Sequence, residues 1–333
     1  DALGGFDSTV SGLASFHDLS DLGTILYSSA ASLTRADVGD YSITPSGGTN
    51  SNYAVSYVAG TASVTPRPVT ITAPTLSREY GLANPTLNAV GSGFLSGEFD
   101  RSLVQYNDVS QSADVGSYAL TPSGYSDSNY SVSYVDGALD VTKASLSLTP
   151  NSVSREYGLV NPAFTFTGNG YRLGQTAEDV LTDVSITSTG DIRSSVGNYV
   201  IHISASLLNT NYELELNTGQ LTITKAPLVV SPNLSTKVYG EANPDFTLQA
   251  YGLRNEDTVD VVNSAFFQVF ANEYTGVGQY TLSLLGATAQ NYNLTFGSSF
   301  LNITPRNLTI TAKDAVREYG DQNPFFTADF DGL

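Results

Sequence analysis

The stretch Tyr80-Gly-Leu-Ala-Asn-Pro85 is the first of four occurrences of the string Tyr-Gly-x-x-Asn-Pro. The tyrosines that begin the string are separated by 77, 82 and 80 residues. A period this regular is typical of a tandem array in which each period forms one structural unit. The residues that recur, which we interpret as a structural repeat motif, are Tyr80, Gly81, Asn84, Pro85, Tyr157, Gly158, Asn161, Pro162, Tyr239, Gly240, Asn243, Pro244, Tyr319, Gly320, Asn323 and Pro324.

Two further strings keep the same order and period. Val-Gly-x-Tyr lies at residues 38–41, 115–118, 196–199 and 277–280. Asn-Tyr lies at residues 52–53, 129–130, 211–212 and 291–292. Three markers that recur together indicate true repetition of one module.

Alternating apolar and polar residues predict β-strands at both ends of each period. Val69-Thr-Ile71-Thr places its apolar side chains on one face, and Leu139-Asp-Val141-Thr does the same at the end of the period. Between a closing strand and the next opening strand, the apolar positions step by five, as from Val141 to Leu146. An odd step breaks the alternation, so we place module boundaries there.

These boundaries predict five segments. Three complete modules span residues 67–143, 144–225 and 226–305. Residues 1–66 form a partial module that lacks the opening strand, and residues 306–333 form a partial module with the opening strand and turn only. We therefore expect the sequence to be part of a longer array of the same modules.

Helical signals are few. Thr176-Ala-Glu-Asp-Val-Leu181 is the best candidate, and residues 98–103 and 257–261 resemble it in the neighbouring modules. Each predicts a helix of one or two turns begun by a capping Thr or Asp. We expect a mainly β fold, either an immunoglobulin-like sandwich or a β-grasp-like module, with one short helix per module and the modules joined end to end into a rod.

The chemistry of the first string suggests a role for each residue. The glycine should adopt positive φ, and Asn-Pro should leave the turn extended. We interpret the tyrosine as a corner residue with its ring in the core and its hydroxyl on a nearby backbone group. A ladder of sugar-stacking tyrosines is the alternative. If the recurring tyrosines are instead structural, the candidates for exposed contacts are the tyrosines outside the strings, such as Tyr106, Tyr125, Tyr171, Tyr251 and Tyr274.

The composition excludes several classes of protein. A formal charge of −18 repels phosphate backbones and anionic lipid surfaces, so neither nucleic acid nor a membrane is an expected partner. No apolar run is long enough for membrane insertion. Because the chain has no cysteine, disulfides and thiolate metal sites are ruled out.

No catalytic constellation can be found in the sequence. The two histidines, His17 and His202, lie at unrelated places in different modules, and no phosphate-binding loop or metal-ligand spacing is present. We therefore expect no catalytic, cofactor-binding or metal-binding residues, no cofactor and no enzymatic activity.

A basic residue recurs at each boundary between modules. These residues are Arg67, Lys143, Lys225 and Arg306. In so acidic a chain they could pair with carboxylates across a joint, or they could be solvated charges in a linker.

The three strings, together with the closing Leu221-Thr-Ile-Thr224, resemble the MBG/YDG repeat modules of large bacterial surface proteins. Such repeats are similar to those of filamentous-haemagglutinin-like adhesins of two-partner secretion systems, including CdrA-like biofilm-matrix adhesins. The resemblance implies an extracellular protein of the bacterial cell surface or biofilm matrix. It also implies a secretion partner in the outer membrane, reached through regions outside these residues. Val238 departs from the pattern, since the other three copies have Glu at that position.

Three functions follow from this resemblance. The first is a stalk that projects an adhesive region for attachment to cells, surfaces or matrix. The second is an array whose modules bind exopolysaccharide or other matrix components weakly and multivalently. The third is a set of accessory modules of a secreted glycan-active enzyme.

Overall fold

The computed structural model describes residues 6–333, which divide into two compact units. Unit 1 runs to Ser145 and includes Gly170–Asp179 and Asn209–Glu213. Unit 2 contains Leu146–Asn169, Val180–Leu208 and Leu214–Leu333. With 46% strand and 5% helix, the chain is mainly β, as the sequence predicts.

The first repeat, in unit 1, contains one three-stranded antiparallel sheet. Its strands lie in the order β1-β2-β3 and are bounded as follows: β1 Leu26–Ser28, β2 Gly39–Ser46 and β3 Gly60–Val64.

The second repeat, also in unit 1, is built from three small sheets. Its strands are β4 Arg67–Thr72, β5 Thr75–Glu79, β6 Val90–Ser92, β7 Gln105–Tyr106, β8 Gly116–Leu120, β9 Pro122–Ser123, β10 Tyr130–Val135 and β11 Gly137–Thr142. Strand β4 is central in the order β10-β4-β6, and β11 is central in the order β5-β11-β8, while β7 pairs with β9. The pairs β10–β4 and β11–β5 are parallel, so the opening and closing segments of the repeat lie side by side.

The third repeat has one strand fewer than the second. Its strands are β12 Ala144–Pro150, β13 Val153–Glu156, β14 Phe166–Asn169, β15 Leu181–Ser188, β16 Gly197–Leu207, β17 Tyr212–Leu216 and β18 Thr218–Thr224. In unit 2, four of these strands form a sheet in the order β13-β18-β16-β15.

The fourth repeat lies wholly in unit 2. Its strands are β19 Ala226–Pro232, β20 Ser235–Val238, β21 Leu248–Tyr251, β22 Asn263–Val269, β23 Gly278–Thr288, β24 Tyr292–Phe296 and β25 Ser298–Thr304. They form two sheets, β21-β19-β24 and β20-β25-β23-β22, so the module is a β-sandwich. The last hairpin pairs β26 Thr309–Ala312 with β27 Ala328–Asp331.

Helix is scarcer than the sequence predicts. Across residues 6–333, the α-helix α1 at Ala177–Val180 is the only one. The equivalent segments at Arg101–Leu103 and Val259–Val261 are single turns of 3₁₀ helix, as are Leu19–Leu22 and Ala30–Ser32. The prediction of one short helix per module is thus right in position, but a segment of three residues closes only the tighter 3₁₀ turn.

Strand alternation builds the core of each sandwich. In β19, Leu228 and Val230 are fully buried, while Val229 between them is exposed. They join Ile223 of the preceding strand and Leu284 of β23 in one hydrophobic cluster of unit 2. Because a single residue, Lys225, separates β18 from β19, consecutive repeats are connected almost without a linker.

Candidate functional site at the joints between repeats

The tyrosine of the Tyr-Gly string packs against the tyrosine of the next repeat's Asn-Tyr string. In unit 2 the ring of Tyr157 lies 5.5 Å from that of Tyr292, at an interplanar angle of 81°. In unit 1 the ring of Tyr80 lies 5.6 Å from that of Tyr212, at 73°. Such edge-to-face pairs contribute about 0.5–1.5 kcal/mol beyond the burial of the rings. The buried tyrosines therefore belong to the joint as much as to their own module.

The glycine that follows each tyrosine is required for two reasons. Gly81 and Gly158 have φ of 77° and 75°, the left-handed region in which a side chain is strained. A Cβ on Gly81 would also lie 2.5 Å from the Cβ of Arg172 in the next repeat. A Cβ on Gly158 would lie 2.5 Å from the Cβ of Arg254. The absence of a side chain thus lets an arginine from the next repeat lie directly over the turn.

Each of these arginines reaches a glutamate on the far side of the joint. The Arg172 NH2 group lies 2.6 Å from Oε2 of Glu79, and that of Arg254 lies 2.8 Å from Oε2 of Glu156. Arg254 NH1 also donates to the carbonyl of Tyr157 at 3.0 Å. Because both glutamates are partly exposed, we expect these pairs to fix the geometry more than to add stability.

The asparagine of the Asn-Tyr string binds the Val-Gly-x-Tyr segment of the preceding repeat. The Oδ1 atom of Asn211 accepts from the backbone N of Val115 at 2.8 Å. Asn129 and Asn291 accept in the same way from Val38 and Val196, at 2.8 and 3.0 Å. All three strings therefore meet where one repeat contacts the next.

The hydroxyl of the Asn-Tyr tyrosine is held by one equivalent position in every repeat. Tyr212 donates to Oε1 of Gln175 at 2.7 Å and Tyr292 to Oδ2 of Asp257 at 2.5 Å, while Tyr157 reaches the same Asp257 oxygen at 3.1 Å. Tyr130 donates to Glu98 in the second repeat. In the first repeat the partner of the Tyr53 hydroxyl is Nδ1 of His17, at 2.6 Å. The expectation that His17 belongs to no repeated position is therefore wrong.

The corner residue is a different tyrosine from the one predicted. The tyrosines of the Val-Gly-x-Tyr string donate their hydroxyls to the carbonyl four residues upstream. The donors and distances are Tyr41 to Asp37 at 2.7 Å, Tyr118 to Asp114 at 2.9 Å, Tyr199 to Ser195 at 2.8 Å and Tyr280 to Gly276 at 2.9 Å. The prediction that the Tyr-Gly tyrosines have this role is therefore wrong. Tyr157, for example, donates its hydroxyl to Oδ2 of Asp257 in the next repeat.

A buried cation below three of the four Tyr-Gly turns escaped the sequence analysis. Arg155 donates through Nε to Oδ1 of Asn161 at 2.6 Å and through NH2 to the carbonyl of Asp191. Arg78 makes the equivalent bond to Asn84 at 2.7 Å. The asparagine of the string therefore holds this cation in addition to preceding the proline. The signal was present in the sequence, because a basic residue stands two positions before every Tyr-Gly.

The fourth repeat carries lysine at this position, and the network is incomplete there. Lys237 Nζ donates to the carbonyls of Glu241 and Asn272, at 2.9 and 2.7 Å. The Oδ1 atom of Asn243, which would accept from an arginine, is buried and has no hydrogen-bond partner. A lysine ends in a single nitrogen and cannot replace the guanidinium fork.

Burial shifts the pKa of the aromatic and cationic groups of the joints. Desolvation, and then its hydrogen bond to Asp257, raises the pKa of Tyr292 to about 12. Desolvation also raises the pKa of Tyr212. Burial lowers the pKa of Arg155, against the opposing effect of Asp191. With their pKa values raised, both tyrosines keep their hydroxyl protons at neutral pH and can donate them.

Two copies of the Tyr-Gly string do not lie in such a joint. Tyr239 is half-exposed and Tyr319 is fully exposed. Asn323 and Pro324 are exposed as well. Their glycines, Gly240 and Gly320, keep positive φ of 88° and 95°. The turn conformation therefore forms without the partner repeat.

The boundary cations do not pair with carboxylates among the described residues. Arg67 donates to the carbonyl of Gly93 at 2.7 Å, and Lys225 to that of Ala289 at 3.1 Å. The ion pairs at the joints come from other arginines, including Arg35 with Glu98 at 3.0 Å in unit 1.

The tyrosines outside the three strings divide into two groups. Tyr106, Tyr125 and Tyr171 are buried or half-buried. Tyr251 and Tyr274 are exposed, at 61% and 80%. Of the five tyrosines named as candidates for exposed contacts, these two alone are exposed.

The described residues contain few features of an active site or membrane protein. Within residues 6–333, no three His, Asp or Glu side chains are grouped closely enough to bind a metal ion. No helix in that part of the chain has the length and apolarity to cross a membrane.

Sequence comparison identifies the family. The family described as MBG domain (YGX type) matches residues 1–63, 69–140, 146–222 and 228–302. The chain belongs to this MBG family. Each joint described above thus connects consecutive MBG modules. A search of curated proteins finds no match.

The MBG array is also similar to several solved multidomain structures. Drosophila N-cadherin EC1-4 has 8% identity and a TM-score of 0.30, covering 80% of this chain and 83% of the cadherin. Surface layer protein SbsC, domains 1–6, has 12% identity and a TM-score of 0.22, covering 89% and 53%. SGBP-B of a Bacteroides ovatus mixed-linkage glucan utilization locus, solved with a heptasaccharide, has 11% identity and a TM-score of 0.15, covering 75% and 72%.

MBG repeats are non-catalytic modules, and no enzyme family matches this chain. An array of them fits a repetitive extracellular protein. The residues at the joints contact one another where consecutive MBG modules meet.

Proposed function

We propose that this MBG array is a stalk or spacer segment of a large secreted bacterial adhesin, which projects an adhesive region for attachment to cells, surfaces or biofilm matrix. Its place would be the cell surface or the matrix, and its secretion partner would act through regions outside these residues. The observation that carries the proposal is the repeated joint. The contacts around Tyr80 in unit 1 recur around Tyr157 in unit 2.

A stalk must resist bending at each connection between modules. At the Tyr157 joint, bending would separate two buried rings and expose the carboxylate of Asp257, to which both hydroxyls donate. It would also pull Arg254 away from the glycine turn and from Glu156. Since only Lys225 separates β18 from β19, the connection between the third and fourth repeats is too short to allow a large rotation.

The test compares the distribution of solution conformations by small-angle scattering. We expect Tyr157→Ala to broaden the distribution relative to the native chain, because the ring pair is removed at a single joint. Tyr251→Ala, which removes an exposed tyrosine of the same unit, is the control and should leave it unchanged. If Tyr157→Ala has no effect, the joint does not supply stiffness and the stalk proposal fails.

A second candidate function is weak, multivalent binding of matrix polysaccharide. It is favoured by the exposed aromatic residues of the fourth repeat, Tyr251, Tyr274 and Phe270. Co-sedimentation with an exopolysaccharide separates the two functions. A stalk should remain in the supernatant, whereas a binding array should pellet with the polymer and lose binding in Tyr251→Ala/Tyr274→Ala.

A further inference from the structure

The larger sheet of the fourth repeat, β20-β25-β23-β22, carries exposed apolar side chains on its outer side. In β22, Phe267 packs against the hydrophobic cluster of unit 2, whereas its neighbour Phe266 is exposed. In β25, Leu301 is fully buried and its neighbour Phe300 is exposed. These rings therefore stand on the side of the sheet that faces away from the core. We call this surface the aromatic face, and its apolar members are Phe266, Phe270, Leu285 and Phe300.

The exposure of the aromatic face does not depend on a missing neighbouring repeat. The bulges after Thr182 and Asn263 align β15 of the third repeat with β22 of the fourth. The third repeat is followed by a complete joint, and yet all its equivalent positions are exposed; they are Ser185, Thr189, Ser204 and Gln220. The two repeats thus present the same side of the sheet to solvent, polar in the third repeat and apolar in the fourth.

The aromatic face lies in a part of the chain that is nearly free of charge. Residues 263–304 contain a single charged residue, Glu273, in a chain of formal charge −18. The equivalent residues 182–224 of the third repeat contain five, which are Asp183, Asp191, Arg193, Glu213 and Glu215. Two copies of so acidic a chain repel each other over most of their surface. An uncharged face is where they can meet without placing like charges together.

The area of the aromatic face suits a weak, reversible contact. The three rings are 63%, 84% and 46% exposed. At about 150–250 Å² for a whole phenylalanine, they offer roughly 400 Å² together. Apolar patches of roughly 300–600 Å² are the largest on a typical monomer and are often functional. Leu285 and the uncharged residues between the rings bring the face closer to the roughly 800 Å² per partner of a standard interface.

We propose that the aromatic face packs against the same face of a second copy of the chain. Because both copies use one surface, the contact has two-fold symmetry and closes at two copies. Side chains from the two sheets would interdigitate, as they do where sheets stack about 10 Å apart. Phe266 pairs with Gly286, where an added Cβ would meet nothing within 4 Å, so the partner has room beside this ring.

The chemistry of the rings favours a protein partner over a glycan. Phenylalanine has no polar group, whereas the hydroxyl of tyrosine and the indole N–H of tryptophan can bind a polar ligand. All three rings of the aromatic face are phenylalanines. The exposed tyrosine of the same unit, Tyr251, belongs to β21 in the other sheet. The aromatic face therefore matches a second apolar surface better than a sugar chain.

The first test measures the mass of the 333-residue chain by sedimentation velocity across a wide range of concentration. We expect a species of twice the 35.2 kDa monomer that increases with concentration. The triple variant Phe266→Ser/Phe270→Thr/Phe300→Gln carries the residues of the third repeat at the equivalent exposed positions, so its fold should be retained and it should stay monomeric. Tyr251→Ala, in the other sheet, is the control and should dimerise as the native chain does.

A second test leaves the rings in place. Because the chain has no cysteine, Ser283→Cys adds a single thiol on the aromatic face, opposite Gln268 of β22. A short bismaleimide should join two copies of this variant. His202→Cys, at the equivalent position of the third repeat, is the matched control and should remain monomeric. Equal cross-linking of the two variants would contradict the proposal.

Two outcomes separate this contact from the other functions. A native chain that stays monomeric at all concentrations overturns the proposal, as does a triple variant that still dimerises. If instead the chain co-sediments with an exopolysaccharide and the triple variant does not, while both are monomeric, the face binds glycan and the proposal is wrong. None of these results alters the stalk proposal, because the joints around Tyr80 and Tyr157 use other residues.

Discussion

The substitution Gly158→Ala tests the joint between the third and fourth repeats most directly. Gly158 has φ of 75°, and a Cβ there would lie 2.5 Å from the Cβ and 2.9 Å from the Cδ of Arg254. A left-handed residue other than glycine costs about 1–2 kcal/mol. The added methyl must also displace the arginine from Glu156 and from the carbonyl of Tyr157.

The matched control is Gly320→Ala. Gly320 has φ of 95°, and a Cβ there would meet nothing within 4 Å. It therefore isolates the backbone strain, whereas Gly158→Ala adds the loss of charged hydrogen bonds, which contribute about 1.5–3 kcal/mol each when buried and less when half-exposed. We expect Gly158→Ala to destabilise the joint by about 1.5 kcal/mol more than the backbone strain alone would, a figure lowered to account for the partial exposure of the ion pair.

The assay is amide exchange at the joint. Because an array of modules does not unfold in a single step, a local measurement is preferable to one global free energy. The backbone N–H of Val196 donates to Oδ1 of Asn291 across the joint, so its exchange reports opening of the joint. The backbone N–H of Arg254 donates to the Tyr292 hydroxyl within the fourth repeat, so its exchange reports displacement of Arg254 by the added methyl. We expect these two amides to exchange at least about tenfold faster in Gly158→Ala. Unchanged exchange would refute the steric argument.

Three further predictions concern the buried groups and covalent structure. Lys237→Arg should stabilise the fourth repeat by about 1 kcal/mol, because Nε would donate to the unpaired Oδ1 of Asn243, and Arg155→Lys should have the opposite effect; thermal denaturation measures both. Burial raises the pKa of Tyr292 to about 12, above the unfolded value of 10.0, so its contribution to stability is complete below pH 10 and is lost as the pH rises through about 12. Denaturation at increasing pH should show a larger loss of stability in the native chain than in Tyr292→Phe, in which Tyr212 still has its raised pKa. Since residues 67–142 contain no lysine, we expect no Lys–Asn cross-link and an intact mass without the deficit of about 17 Da that each bond would cause.

Much of the fold could be predicted from the sequence. The alternation in residues 69–72 predicts β4, and the glycines of the Tyr-Gly string have the predicted positive φ. Both depend on local physics, namely strand alternation and the steric freedom of glycine. The module boundaries at 66/67, 143/144, 225/226 and 305/306 remain predictions, although strands end and begin close to each of them.

The roles of the recurring residues were harder to predict, because a periodic sequence does not show whether a residue contacts its own repeat or the next one. A contact within a repeat and a contact with the next repeat both recur every 77 to 82 residues. Periodicity therefore could not show that Tyr157 packs on Tyr292 rather than in a corner of its own module. The arginines were missed for a related reason: Arg172 and Arg254 have no arginine at the equivalent position of the second repeat, where Leu95 stands.

The sequence by itself determined that the chain is a tandem array of β modules, since periodicity and alternation are properties of the chain alone. Only the tertiary structure decided which contacts the recurring strings make. A ring such as that of Tyr80 can be buried by its own module or by the next one, and the two arrangements bury similar apolar area. The choice depends on long-range contacts, those of Gly81 with Arg172 and of Val115 with Asn211, which join residues more than ninety positions apart.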